Sequence, residues 1–251
     1  MKNGRGLTCF TVVLIFFWSL AVNCNAGEIL LLSEEVPPFQ YTSAEGTIGG
    51  FGIELVTEIF STAGVTVKNN KIHIYPWTRA YLLLQKKTNA AAFMTVRNRE
   101  REKMFKWVGP LAPREMWLFK LRSREDIRIT TLEEAKAYKV GGYRSAQTDS
   151  LVQLGFSNLQ IVPNESQNIK LLTSGRVDLI PALEMTMALR LKQSGLPFNT
   201  VEKTVLLDGR FDYYLALNLS IPDTVVNRLQ QALDVLKENG TYDRLHDKYL
   251  H

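Results

Sequence analysis

The feature that most constrains the fold is a regular alternation of short apolar runs with amphipathic segments. Runs of strand character are followed by stretches whose apolar side chains recur at helical spacing, and a glycine ends the first of these helices at Gly64. The predicted strands are residues 28–33, a segment within 65–75 and residues 89–96, and the predicted helices are 53–63 and 79–87, the second capped by Thr78. Alternation of this kind is typical of an α/β fold with a mostly parallel sheet and helices on its faces.

Three polar or aromatic segments follow these strands directly. They are residues 36–41, 75–77 and 95–101. Because ligands of open α/β sheets bind beyond the carboxyl ends of the strands, the three segments are predicted to converge on one cleft although they lie far apart in sequence.

The segment 95–111 carries Arg97, Arg99 and Arg101 between an apolar strand and an aromatic pair, and Gly109-Pro110 is expected to end the run. Arginines just past a strand end can hold an anion with a bidentate fork. The same Arg-Glu-Arg-Glu pattern is also typical of the solvated start of a charged helix. Spacing alone favours the second interpretation for most of these arginines.

A second alternation follows and predicts a second lobe. A capping box from Thr131 to Glu134 opens a helix over 132–137. Further strands are predicted at 115–121, 139–143, 159–162, 177–182 and 211–218, and further helices at 145–154, 167–174, 185–193, 223–238 and 241–249. The expected division is a first lobe over 27–113, a second over 114–207, and a return of 208–251 to the first, with two crossings that form a hinge.

The amino-terminal residues 1–26 have the pattern of a secretory signal peptide, with Lys2 and Arg5 before an apolar stretch. Cys9 and Cys24, the two cysteines of the chain, both lie there, so no disulfide or cysteine metal site is expected after cleavage. Loss of Lys2 and Arg5 lowers the formal charge from +5 to +3. That charge is too small and too dispersed to predict nucleic-acid binding.

Motifs of catalysis and metal binding are not evident in the sequence. His73, His246 and His251 are scattered, and neither a zinc-protease pattern nor a serine nucleophile elbow occurs. We therefore expect no catalytic residue, no metal and no cofactor.

Several motifs in their order and spacing resemble the extracellular solute-binding proteins of family 3, the receptors of polar amino-acid ABC importers. They are V-P-P-F-Q-Y, G-G-F-G-I-E-L, R-E-R-E-K-M-F-K-W-V-G-P-L, G-R-V-D-L and the terminal L-K-E-N-G-T-Y-D-R-L-H-D-K-Y. The resemblance covers nearly all of residues 27–251. It implies a two-lobe periplasmic binding protein type II fold that closes by a hinge on a small solute.

The resemblance also implies ligand contacts in the first lobe. Its Glu-Arg pair matches Glu100 and Arg101, and that arginine would bind the carboxylate of the ligand. Its aromatic positions match Trp77 and either Phe39 or Tyr41, whose rings would pack on the ligand, with core packing as the alternative for each ring.

Three positions depart from the family pattern. Asn98 replaces the usual threonine three residues before the arginine, and Ser145 followed by Ala146 replaces a Gly-Thr loop of the second lobe. The aspartate that commonly takes the ligand ammonium would fall at Leu183, and the nearest acid is Glu184. Glu184 is therefore the candidate for a positive group of the ligand.

The resemblance implies a monomeric periplasmic receptor that delivers a small solute to an ABC permease at the inner membrane. Two other functions are open on the same fold. One is a sensor that presents its ligand to a membrane signalling partner. The other is an enzyme similar to cyclohexadienyl dehydratases, which would need a carboxylic acid in the cleft to protonate a leaving hydroxyl.

Overall fold

A computed structural model describes residues 27–43, 45–143 and 151–250 of the chain. These residues form the following strands: β1 (Ile29–Ser33), β2 (Tyr41–Thr42), β3 (Ile48–Gly49), β4 (Val67–Ile74), β5 (Ala90–Val96), β6 (Lys106–Pro113), β7 (Met116–Leu121), β8 (Val140–Tyr143), β9 (Leu159–Val162), β10 (Ile180–Leu183), β11 (Val201–Asp208) and β12 (Asp212–Leu217). The helices that lie wholly within them are α1 (Phe51–Ala63), α2 (Trp77–Lys86), α3 (Leu132–Ala135), α4 (Glu165–Thr173), α5 (Glu184–Gln193), α6 (Asp223–Glu238) and α7 (Thr241–Leu250).

The main sheet has five strands in the order β4-β1-β5-β12-β6. The strands β4, β1 and β5 are parallel, and β12 runs antiparallel to both β5 and β6. The predicted β-α-β-α-β order therefore does produce a parallel sheet. The strand β12 comes from the far end of the chain, so the carboxyl-terminal segment returns to the sheet that the amino-terminal segment builds.

Alternating side chains of β1 serve the two faces of this sheet. Leu31 belongs to a large apolar cluster with α1 and α6, whose buried faces include Ile59 and Leu229, while Leu32 packs with Leu84 of α2 on the opposite face. Both helical apolar stripes were predicted, and α6 has the predicted bounds. The sheet is thus a buried layer with helices on both sides.

A second sheet has the order β10-β7-β11 and is antiparallel. The neighbouring side chains Leu118 and Phe119 of β7 enter two separate apolar clusters on its two faces. Two chain segments connect this sheet with the main one, residues 114–115 and residues 209–211. They lie side by side, because the backbone N–H of Arg114 donates to the carbonyl oxygen of Phe211 over 3.3 Å.

The edge strand β4 contains a bulge. Ile29 pairs with Val67 and Leu31 pairs with Ile72, so residues 68–71 project from the ladder. Asn69 and Asn70 have φ angles of 55° and 49°, and the whole bulge is exposed. Asparagine adopts this left-handed region more readily than most residues do.

Three local predictions are wrong. The pair Gly109-Pro110 does not end a segment, because β6 continues to Pro113 as an edge strand, where a proline costs no ladder hydrogen bond. Thr78 does not cap α2, which begins at Trp77 after Pro76 without a side-chain cap. The run after Val96 does not start a helix; residues 99–104 form turns.

Candidate functional site

The residues that follow the parallel strands of the main sheet lie together at the carboxyl end of those strands, which we call the carboxyl edge. Because β1, β4 and β5 are parallel, their carboxyl ends lie together, and the antiparallel β12 begins at the same edge, where Tyr213 pairs with Val96. The backbone carbonyl oxygen of Ser33, at the end of β1, accepts a hydrogen bond from the backbone N–H of Tyr75 over 2.9 Å. The three segments predicted to converge therefore do start from one edge, and the two crossings to the second sheet leave from it as well.

Arg101 lies in the turn after β5 and is held by backbone and ring contacts. Its backbone N–H donates to Oδ1 of Asn98 over 3.0 Å, and Nη1 donates to the carbonyl oxygen of Val96 over 3.0 Å. The guanidinium carbon lies 5.2 Å from the ring centroid of Trp77 and 5.3 Å from that of Tyr81. Within the described residues no carboxylate forms an ion pair with Arg101, so most of its donors remain for an anion.

The Oδ1 atom of Asn98 therefore holds the turn that carries Arg101. Trp77 is half-buried at the first turn of α2 and packs at 5.3 Å against the ring of Tyr81. The two rings and the guanidinium form one preorganised cation–π arrangement. Sequence reasoning predicted Trp77 and missed Tyr81, which lies one helical turn further along α2 and could have been found by that spacing.

Arg97 has a different environment, although it is only four residues away. Its Nε and Nη2 donate to the two carboxylate oxygens of Glu102 over 2.8 and 2.6 Å. Its guanidinium also lies 5.2 Å from the ring centroid of Tyr214. The hydrogen bonds from Arg97 lower the pKa of Glu102. Arg97 is thus neutralised within the protein and is a poor candidate for binding an external anion.

The two candidate aromatics of the first loop lie elsewhere. Phe39 is only 3% exposed and packs against Phe51 and Tyr213 at centroid distances of 6.4 and 5.4 Å, which is core packing. Tyr41, in β2, lines a cavity of about 480 Å³ with Glu54 and Lys248. Neither Arg101 nor Trp77 lines that cavity.

Glu184 begins α5 and already has a cationic partner. Its Oε2 lies 2.6 Å from Nζ of Lys203, and that ammonium lies 5.1 Å from the ring centroid of Trp117. Leu183, before it, is partly buried and packs on the large apolar cluster of α1 and α6. Ser145 lies outside the described residues.

Glu34 follows β1 and, with the adjacent Glu35, is one of two consecutive glutamates at this edge. Burial raises the pKa of its carboxyl group, and the charge of Arg101 lowers it by less, so the net shift is upward. Within the described part of the chain it forms no hydrogen bond and no ion pair. Its position immediately after a parallel strand could have identified it, by the same rule that selected the segment 95–101.

Two other features are absent from the described ranges. These ranges contain no group of three or more histidine, cysteine, aspartate or glutamate residues placed to hold a metal ion. A search of the same residues for helices with the length and hydropathy of a membrane span finds none.

Comparison with known structures identifies the class. The second substrate-binding domain of GlnP from Lactococcus lactis, in its open conformation, superimposes with a TM-score of 0.72 at 16% identity, covering 89% of this chain and 96% of that domain. A histidine kinase sensor domain with similarity to periplasmic binding proteins gives a TM-score of 0.61 at 16% identity, covering 90% and 97%. The fold is the two-lobe periplasmic binding protein type II fold with a hinge between the lobes.

The sequence then gives the family. Residues 29–251 match the bacterial extracellular solute-binding proteins, family 3, and the chain belongs to that family. An arginine-binding periplasmic protein from Mannheimia haemolytica is 22% identical over 241 residues, which cover 95% of this chain and 97% of that protein.

Proposed function

We propose that this protein captures a small α-amino-acid-like solute in the periplasm and delivers it to an ABC importer. The observation that carries the proposal is Arg101. Its guanidinium stands at the carboxyl edge of a parallel sheet, is oriented by the carbonyl of Val96 and two rings, and has no carboxylate partner within the described residues. Such a group suits a planar anion of carboxylate size.

In this proposal the ligand carboxylate binds Arg101 and its carbon chain packs on Trp77. Asn98 acts by fixing the turn that presents Arg101. Lobe closure then excludes water, which strengthens the ion pair because the local dielectric constant falls. The ligand drives closure only by its higher affinity for the closed form. The role is binding without catalysis, by a monomer.

The proposed boundaries follow the two sheets. Residues 27–113 and 208–251 build the first lobe around the five-stranded sheet, and residues 114–207 build the second around β10-β7-β11. Residues 1–26 act as a cleaved signal peptide that directs the chain to the periplasm.

A sensor function is the second candidate, because a histidine kinase sensor domain shares the fold over most of both chains. Such a receptor would bind the same ligand in the same cleft and differ in its membrane partner. The dehydratase function would need a carboxylic acid in the cleft, and it has less support because Glu184, the acid expected there, is ion-paired with Lys203.

The test is ligand binding by the purified protein, with L-arginine as the first ligand because the relative from M. haemolytica is an arginine-binding protein. We expect L-arginine, L-glutamine or L-glutamate to raise the unfolding midpoint, and the Arg101→Gln variant to lose roughly 2–5 kcal/mol of binding free energy. Arg97→Gln is the matched control, since Arg97 is satisfied by Glu102. Equal binding by wild type and Arg101→Gln would refute this assignment.

A further inference from the structure

Glu34 is an acid at the carboxyl edge of the main sheet that has no side-chain partner among the described residues. It follows β1 directly, its side chain is half-buried, and no hydrogen bond or ion pair engages it within the described ranges. Burying a carboxylate without a partner is costly. A site that retains one is therefore suited to a cation that arrives from outside.

Four other acids near the edge are engaged by groups of the protein. Glu102 is bound by Arg97, Glu184 by Lys203 and Asp208 by Arg210 at 2.9 Å. Glu115 accepts a hydrogen bond from the indole N–H of Trp117 over 3.0 Å. Glu35 is exposed and receives only a long contact of 3.5 Å from the N–H of Thr42.

Glu34 lies near Arg101, so the two side chains offer one negative and one positive charge to a zwitterionic ligand. Arg101 is close enough for its charge to act on the Glu34 carboxyl group, yet the two side chains form no ion pair within 4.0 Å. An α-amino acid carries its carboxylate and its ammonium on one carbon atom. A guanidinium and a carboxylate that are neighbours but not paired with each other can bind the carboxylate and the ammonium of such a head group, respectively.

We propose that Glu34 binds the α-ammonium group of the amino acid whose carboxylate binds Arg101. This inference rests on the proposed function. It moves the ammonium site from the second lobe to the first, because Leu183, at the position where the family pattern places an acid, is an apolar residue packed on the core. Both charges of the head group are then held by one lobe, so the open protein binds the zwitterion before the second lobe closes.

The experiment compares three ligands on the full protein by calorimetry. L-arginine has both head-group charges, 5-guanidinopentanoate lacks the α-ammonium, and agmatine lacks the carboxylate. The wild type is expected to bind L-arginine about tenfold or more tightly than 5-guanidinopentanoate. Glu34→Gln should remove that preference by weakening L-arginine binding alone, with the affinity for 5-guanidinopentanoate retained as evidence that the cleft is intact.

Two variants complete the design. Glu35→Gln is the matched control, an adjacent exposed glutamate, and should behave as the wild type. Glu184→Gln tests the competing carboxylate, and loss of the ammonium preference in that variant but not in Glu34→Gln would overturn the inference. Retention of the preference in Glu34→Gln overturns it as well, while amino-acid binding itself stands. If the wild type binds neither these ligands nor L-glutamine or L-glutamate, the proposed function fails, and the inference fails with it.

Discussion

At the scale of single residues, the burial of Glu34 predicts a dependence of ligand affinity on pH. Burial raises the pKa of its carboxyl group more than the charge of Arg101 lowers it, and Tyr213 of β12, which shares this environment, has a pKa raised by its own burial. The charge of Arg114 acts on Tyr213 and lowers its pKa by less than burial raises it. The raised pKa of Glu34 means that its carboxyl group takes up a proton at a higher pH than an ordinary glutamate does.

The expected result is a loss of L-arginine affinity as the pH is lowered, beginning above the range of an exposed glutamate. The ligand ammonium keeps its charge throughout, so the loss reports the protonation of Glu34. Calorimetry over a pH series measures it, and the profile of Glu34→Gln should be flat over the same interval. Identical profiles for the variant and the wild type would contradict the assignment.

Sequence reasoning separated Arg101 from Arg97 only through the family resemblance. Their spacing and composition are alike, and what distinguishes them is that Glu102 folds back onto Arg97 within a turn. Phe39 shows the same limit in the other direction. A loop aromatic can be a ligand contact or part of the core, and only the packing of Phe51 and Tyr213 around it shows the second.

At the scale of secondary-structure elements, the end of α1 offers a test of local backbone strain. Gly64 has φ 60° and closes the helix, while the guanidinium of Arg228 donates to the carbonyl oxygens of Ala63 and Gly64. We expect Gly64→Ala to lower the free energy of unfolding by about 1 kcal/mol, because alanine is disfavoured in this conformation and its Cβ would lie 3.2 Å from Arg228.

Urea denaturation measures this change, and Gly64→Asn is the matched control because asparagine accepts the left-handed conformation at lower cost. The asparagine variant should lie between the wild type and Gly64→Ala. An alanine variant as stable as the wild type would show that the helix end relaxes without penalty.

Elements with a clear period were predictable, and two strands at the edges of sheets were not. The helix α6 and the strand β9 have the bounds that their sequences predict. The strands β6 and β11 were not predicted. The first contains Pro110, which excludes a central strand but not an edge strand, and edge position is a property of the assembled sheet rather than of the segment.

At the scale of the whole molecule, the two crossings predict a change of shape on binding. The two crossings are short and adjacent. Asp208, at the end of β11, contacts an arginine in each crossing: Nε of Arg210 lies 2.9 Å from its Oδ1, and Nη1 of Arg114 lies 3.9 Å from its Oδ2. Rotation about two such segments moves one lobe as a body. Saturating L-arginine should therefore reduce the radius of gyration measured by small-angle X-ray scattering.

The Arg101→Gln variant, at the same ligand concentration, should keep the larger radius of the free protein. Arg97→Gln should contract as the wild type does, which separates loss of the anion site from a general loss of positive charge. A radius that is unchanged in the wild type under demonstrated saturation would exclude hinge closure as the response to the ligand.

The two outer strands of the main sheet, β4 and β6, affect how the protein behaves at high concentration. A second molecule that approached β4 would meet the projecting residues 68–71, with Lys68 and Lys71 on an irregular backbone. A second molecule that approached β6 would meet Pro110 and Pro113, which have no N–H to donate. Neither outer strand is therefore suited to form a continuous ladder of backbone hydrogen bonds with another molecule. Both features disfavour the pairing of a further strand at either side of the sheet.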